Sequence, residues 1–317
     1  MNVTIDFGGT NIKIGLVREG SVLVKTSIPA LSDNGLLTRL PDVEQGIRRL
    51  LSGAGVSLAD CRGIGIALPG IIDGEGKTLL SIKDKYTDAL GFDFAGWSAS
   101  QLGLPLVVEN DARAALLGEI AYGNARGEKD AVLVIFGTGI GTAAMIGGEV
   151  VRGRHGQAGI LGGHLATDIY GERCNCGNPG CLEAQASHWA IPLRAAKLPG
   201  FADSMLAGEK DWGYETILRA SEEGDAFAAR LEADLLLHWG AGIVNLIHAY
   251  DPEVVILSGG LMKSADRLLP RLAERVRETA WTPWGTPRFT VAEDPETSVL
   301  LGMSYLASRQ QHASKGE

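Results

Sequence analysis

The chain has 317 residues, 45% of them hydrophobic and 21% charged, the make-up of a soluble globular protein long enough for two cores of ordinary domain size. Its 38 Asp and Glu outnumber its 29 Lys and Arg, for a formal net charge of -9. That balance, with no basic run, excludes a surface built to neutralise nucleic-acid phosphates and excludes a polybasic membrane footprint; a small-molecule partner is favoured. The opening residues, Met1 to Asp6, carry neither the basic nor the apolar part of a signal peptide, so a cytoplasmic protein is expected.

From Val3 to Ile28, short apolar runs broken by Gly8-Gly9 and Glu19-Gly20 predict three successive antiparallel strands. A helix is expected from about Asp42 to Leu51, then a buried strand, Gly63 to Leu68, that stops at Pro69-Gly70. A glycine-bearing, charged loop runs on to about Trp97. Leu106 to Val108 form another short strand emptying into Glu109-Asn110-Asp111, and a helix with alanine and leucine spacing follows from Ala112 to about Tyr122.

After Asp130 the opening pattern returns: a strand from Ala131 to Phe136, the turn Gly137-Thr138-Gly139-Ile140-Gly141, a second strand to Ile146, and Gly147-Gly148 leading to a third. The uncharged stretch from Ala131 to Gly148 is as long as a membrane span, but its glycines fit two buried strands around a turn better. Two strand-turn-strand units, one near the start of each half, are an internal duplication. Beyond them lie a cysteine-rich segment, a long helix from about Asp225 to Ala249, the strand Val254 to Leu257 ending in Ser258-Gly259-Gly260, a helix through about Arg277, and a last helix from about Ser298. No low-complexity linker separates the halves, so a hinge and not a tether is expected between them.

Asp6, Gly8, Gly9, Thr10 and Lys13 form a D-x-G-G-T-x-x-K pattern on a strand-turn-strand. Glycines let backbone N–H groups approach a phosphate, Thr10 adds a hydroxyl donor, Lys13 supplies charge, and Asp6 can hold Mg²⁺ through water. A structural hairpin can also carry Gly-Gly. The second turn, Gly137-Thr138-Gly139, strengthens the phosphate reading, because two such turns can clamp a triphosphate. Neither run opens a helix and no G-K-S/T follows, so this is neither a Walker loop nor a dinucleotide fingerprint.

Asp111 ends a strand and precedes a helix, at the carboxyl edge where open α/β sheets keep their sites. There it can accept the proton of an attacking hydroxyl during phosphoryl transfer; alternatively, Asn110 or Asp111 simply caps the helix. Of the four cysteines, Cys61 reads as core filler, while Cys174, Cys176 and Cys181 crowd together. With His164 they offer one imidazole and three thiolates, the donor set of a closed, structural Zn²⁺ site, against the alternative of reduced, unliganded cysteines.

Taken together, these residues resemble the ROK family of bacterial glucokinases, other sugar kinases and sugar-responsive repressors. Its most specific signature, GH-x9-C-x-C-G-x2-G-C-x-E, is matched by Gly163-His164, Cys174, Cys176, Gly177, Gly180, Cys181 and Glu183. The resemblance implies an actin-like, ribonuclease H-like fold with a duplicated βββαβαβα core. Its two lobes, residues 1–112 plus about 298–317 (the smaller) and about 113–297 (the larger, with the zinc loop), would close on MgATP and a sugar, usually in a homodimer or homotetramer. It makes Asp111 the catalytic base, assigns the glycine turns to phosphates, puts Ser258-Gly259-Gly260 at the nucleoside, and has Asn110, Asp111, His164 and Glu183 touch sugar hydroxyls. Phosphorylation of a primary hydroxyl, O6 of a hexose, is the expected reaction. The family's repressors carry a DNA-binding domain ahead of the sugar-binding part; here the phosphate hairpin begins within a few residues of Met1, so a sugar sensor is the weaker expectation.

Two departures bear on the substrate. Three residues before the zinc-binding histidine, most family kinases carry a glutamate that hydrogen-bonds hydroxyls near C1 and C2, where this chain has Leu161. Family members also often place an asparagine against the sugar in the loop from Ser81 to Trp97; this chain reads Lys83-Asp84-Lys85-Tyr86-Thr87-Asp88. A sugar altered at its C1–C2 end is the expectation from the first departure, and loop drift with retained hexose binding is the plain alternative for the second.

Overall fold

A computed structural model describes residues 1–83, 85–210 and 213–313, with the side chains of 311–313 outside the description. The chain divides into two compact units, Met1–Gly127 with Arg152–Ala158 and Ala292–Glu317, and Glu128–Val151 with Gly159–Val291.

In the first unit, strands β1 (Asn2–Phe7), β2 (Asn11–Arg18), β3 (Ser21–Pro29), β4 (Gly63–Leu68) and β7 (Leu106–Asn110) make a sheet in the order β3-β2-β1-β4-β7; β5 (Ile71–Asp73) and β6 (Thr78–Ser81) pair separately. The first three strands are antiparallel, and β4 and β7 run parallel to β1. Both faces are covered. Helix α1 (Leu40–Gly53) buries Val43, Ile47, Leu50 and Leu51, and lies so close that a Cβ on Gly46 would stand 2.7 Å from Ile14 Cδ1. On the other face the C-terminal helix, Ser298–Ala313, approaches through Gly15 and Gly65, which leave room for Leu300 and Met303. Helix α2 (Phe94–Gln101) and the β5–β6 hairpin occupy the stretch that reads in sequence as loop. These elements are too short for their periodicity to stand out. Cys61 packs in this unit's core just ahead of β4.

Helix α3 (Asp111–Ala121) corrects the expected lobe boundary at residue 112. It crosses the C-terminal helix at Gly118 and Gly302, where an added Cβ would fall 2.0 Å from Ser298 O and 1.8 Å from Ala114 O. Such contact between helix backbones requires glycine at both positions, and it holds α3 in the first unit. The break falls at Gly127, and neither unit is markedly the smaller.

The second unit repeats the plan with β8 (Ala131–Phe136), β9 (Ile140–Ile146), β10 (Glu149–Val150), β11 (Val254–Gly259) and β12 (Arg288–Val291), in the order β10-β9-β8-β11-β12. The third strand expected here is only two residues long. Helices α4 (Leu182–Ala186), α5 (Ala190–Ala195), α6 (Tyr214–Glu222), α7 (Ala226–Tyr250) and α8 (Ala265–Thr279) follow, and the core centres on Trp239 of α7, edge-on to Phe136 and Tyr214. The uncharged run from Ala131 forms the paired strands β8 and β9. Among the described residues, no helix is long and apolar enough to cross a membrane.

Candidate functional site

At the carboxyl edge of the first sheet, register brings the unit's sequence-predicted residues together. Asp6 is paired directly with Lys13 across β1 and β2, so both side chains share one face and the ammonium offsets the carboxylate. Asp6 also lies in one row with Ala67 of β4 and Glu109 of β7. The turn between β1 and β2 is tied down by its neighbours: the Gly8 carbonyl accepts from Tyr86 Oη (2.8 Å), and the Gly9 carbonyl accepts from Ser32 Oγ (3.1 Å). Thr10 is exposed beside them.

The hydrogen bonds at Asn110-Asp111 decide which residue caps the helix. Asn110 is the cap of α3, its Oδ1 accepting from the backbone N–H of Ala112 (3.0 Å) and Arg113 (3.2 Å), while its Nδ2 donates to Gly70 O and to Asp111 Oδ1, both at 3.0 Å. Asp111 is thereby relieved of the capping role, although its Oδ1 also accepts from Ala112 N at 2.8 Å. A helix N-terminus favours the ionised carboxylate. Burial outweighs it: desolvation first, and the Asp6 charge second, raise Asp111 to about 7, while burial against the opposing pull of Lys13 raises Asp6 to about 6. An aspartate poised near neutrality is matched to general-base work.

Beside this pair is a charged network that sequence reasoning missed. Glu109, almost fully buried, accepts from Asn110 N (2.9 Å) and Arg113 Nη1 (3.3 Å) with Oε1, and from Arg152 Nη2 (2.5 Å) with Oε2. Arg113, with no exposed surface, donates to Gly156 O (2.7 Å) and Ala158 O (2.8 Å). These bonds fasten the segment Arg152–Ala158 into the first unit. A Glu and an Arg four residues apart, set between the apolar runs of the strand and the helix, were the available signal.

In the second unit, the ends of β8 and β11 lie side by side, Phe136 paired with Gly259. A Cβ on Gly259, at φ 93°, would meet Phe136 O at 2.2 Å, so only glycine fits; Gly260 beside it faces open space. The turn Gly137-Thr138-Gly139 closes with Gly137 N on Gly139 O (3.0 Å), and Trp189 N donates to Thr138 O (3.2 Å). Glu183 packs against this turn: its Oε2 accepts from Ile140 N (2.9 Å) and would stand 2.4 Å from a Cβ on Gly139. Its carboxylate therefore positions the second glycine turn, a role the sequence did not suggest.

The donor atoms of His164, Cys174, Cys176 and Cys181 lie within 4.8 Å of one another. Cys174 Sγ is 3.6 Å from His164 Nδ1 and Cys176 Sγ is 3.5 Å from Cys181 Sγ. A tetrahedral Zn²⁺ with bonds of about 2.0–2.3 Å spaces its ligands by roughly 3.3–3.8 Å, so this donor set fits one. Burial pushes the Cys174 thiol up to about 12, and a divalent cation is what would stabilise thiolates in so poorly solvated a place. The loop needs its glycines: Gly177 and Gly180 have φ of 98° and 70°, and a Cβ on Gly180 would fall 1.5 Å from Asp168 O.

Two sheets of identical strand order, each with a glycine turn at the carboxyl edge of its first strand, define an actin-like fold of the phosphotransferase kind. The chain belongs to the ROK family, whose family model matches residues 2–310. It is 29% identical to the glucokinase of Halalkalibacterium halodurans, over 98% of this chain and 96% of the relative. The structure of a ROK family glucokinase from Streptomyces griseus in complex with glucose and AMPPNP is similar at a TM-score of 0.77 and 27% identity, covering 97% of this chain and 99% of the other. The Bacillus subtilis xylose repressor is 27% identical over 70% of this chain and 54% of its own length. The protein is an enzyme, a sugar kinase that transfers a phosphoryl group to an alcohol.

Proposed function

We propose that the protein uses ATP with Mg²⁺ to phosphorylate a primary hydroxyl, O6, of a hexose or modified hexose, with Asp111 as the base. The observation that carries this reading is that Asn110 takes over the cap of α3, leaving beside it a carboxylate raised to about 7. In the reaction, the sugar oxygen attacks the γ-phosphorus, its proton passes to Asp111, and the bond to the β-phosphate oxygen breaks, releasing ADP. Gly8, Gly9, Thr10 and Lys13, and Gly137, Thr138 and Gly139, are proposed as phosphate ligands; Gly259 and Gly260 flank the nucleoside. Mg²⁺, held through water by Asp6, would neutralise charge on the β- and γ-phosphates. Asn110, His164 and Glu183 are proposed to bind sugar hydroxyls. A Zn²⁺ on His164, Cys174, Cys176 and Cys181 would fix the imidazole's orientation.

Leu161 supports a sugar altered near C1 or C2. It is 38% exposed on a loop whose backbone Thr142 pins, donating to Gly159 O and accepting from Gly162 N, both at 2.8 Å. A sugar hydroxyl that faces leucine in place of glutamate loses its partner, at a cost of about 1–3 kcal/mol. The test is ADP release with MgATP over glucose, mannose, fructose, N-acetylhexosamines, 1,5-anhydroglucitol and cyclitols, with Asp111→Asn as control. Turnover of one compound that vanishes in the control is the expected result, and Leu161→Glu should shift preference toward glucose. Sugar binding by thermal shift without turnover on any acceptor would instead favour the sugar-sensing regulator.

A further inference from the structure

Lys85 was read from sequence as part of a diverged sugar loop; Asp84, next to it, lies outside the described residues. The structure puts Lys85 at the phosphate turn. A Cβ on Gly9 would stand 2.6 Å from Lys85 Nζ, so the ammonium occupies the space that the missing side chain leaves over the Gly8-Gly9-Thr10 backbone.

The seat is built, not incidental. Tyr86, the next residue, is fully enclosed and adopts φ 55°, ψ 26°, a left-handed conformation that costs an aromatic residue roughly 1–3 kcal/mol and persists only where surroundings enforce it. The enforcement is visible: Tyr86 Oη donates to Gly8 O at 2.8 Å, and its ring meets Phe7 edge-on at 6.1 Å. Two residues further on, the Asp88 carboxylate accepts from Leu36 N (2.7 Å) and Leu37 N (2.8 Å). The segment just after Lys85 is therefore held twice, to the glycine turn through Tyr86 and to the Leu36–Leu37 backbone through Asp88.

Charge explains what such a seat does. The Asp6 charge is close enough to act on both Asp111 and Tyr86, raising the pKa of each. An incoming phosphoryl group adds more negative charge, while Lys13 stands opposite Asp6. We propose that Lys85 is a phosphoryl ligand: held over Gly9 beside the Tyr86 clamp, its ammonium binds the oxygens of the transferring phosphoryl group. This rests on the kinase reading above and adds to it a second cation, supplied by the loop otherwise assigned to sugar.

The experiment compares wild type with Lys85→Met, Lys85→Arg and Lys83→Met, an exposed control. Lys85→Met is expected to lower kcat/KM for ATP about 10²-fold. Lys85→Arg should recover part of that loss, Lys83→Met should stay within about threefold of wild type, and the thermal shift given by sugar alone should be unchanged throughout. Gly9→Ala should fold, because the clashing atom is the end of a flexible side chain, and should displace the ammonium. Gly9→Ala and Lys85→Met are then non-additive, the double variant no worse than Lys85→Met alone, whereas a methyl that simply blocks phosphate would make the losses multiply. Turnover of Lys85→Met within threefold of wild type, or loss of its sugar-only thermal shift, overturns the proposal. If wild type phosphorylates no acceptor, the kinase reading fails separately, and the thermal shift given by tripolyphosphate still decides: loss in Lys85→Met supports the assignment and an unchanged shift overturns it.

Discussion

Replacing Asp111 by asparagine should abolish catalysis and, at neutral pH, stabilise the fold. The folded protein holds the Asp111 proton up to about 7, whereas the ordinary value for the unfolded chain is 3.8. Protonation therefore stabilises the native state fully below pH 4, and this contribution is lost as pH rises from about 4 to 7, after which it stays lost. The displacement corresponds to about 4 kcal/mol of destabilisation at pH 8. Asparagine escapes it, retains an oxygen for the Ala112 N–H, and gives back about 1 kcal/mol through the weaker neutral hydrogen bond. A net gain of about 3 kcal/mol translates into a rise in Tm of roughly 6–12 °C for a unit of this size. Thermal unfolding of both proteins, free of nucleotide and Mg²⁺, from pH 4 to pH 8 is the assay. The difference should be near zero at pH 4 and reach its plateau above pH 7. A pH-independent difference, or a less stable variant at pH 8, would refute the argument that burial and the Asp6 charge hold the proton.

The same carboxylate sets the pH dependence of activity: kcat/KM should rise about tenfold per pH unit below an apparent pKa near 7 and level off above it, and a flat profile from pH 5 to 8 would remove Asp111 as the base. Protein purified without added metal should carry one zinc per chain by elemental analysis, and Cys176→Ser should lose the metal and unfold at lower temperature; a metal-free, equally stable wild type would contradict the site. Arg113→Met leaves Glu109 buried without its inner partner and should cost about 3–5 kcal/mol in urea unfolding, whereas Arg152→Met, at the exposed end of the network, should cost about 1 kcal/mol or less. Equal losses from the two would mean that burial does not govern this network.

Much of this protein was legible in one dimension. The three opening strands, the strand Gly63–Leu68, the long helix of the second half and the repeat of strand, glycine turn and strand are local patterns, set by alternation of apolar residues and by glycine. The histidine and cysteine residues stood out because thiolate-rich clusters at short spacing have few other uses, and four donor atoms do meet. The short hairpin β5–β6 and helix α2 were not legible, since a few residues carry no periodicity and their stability comes from what they pack against.

What the chain order could not reveal is which residues far apart in it become neighbours. The helix after Asn110 reads as the start of a second lobe until Gly118 meets Ser298 and Gly302 meets Ala114, a closeness that sequence separation hides. Local sequence offered both a cap and a base reading of Asn110-Asp111, and only the hydrogen bonds assigned the cap to Asn110. Lys85 looked like loop, the Glu109–Arg113 pair went unread, and Glu183 looked like a sugar ligand alone. Residue types and local spacing determined the elements and the chemistry on offer; long-range packing decided where each charge sits, how much water it loses, and so which carboxylate holds a proton near pH 7 and which lysine faces the glycine turn.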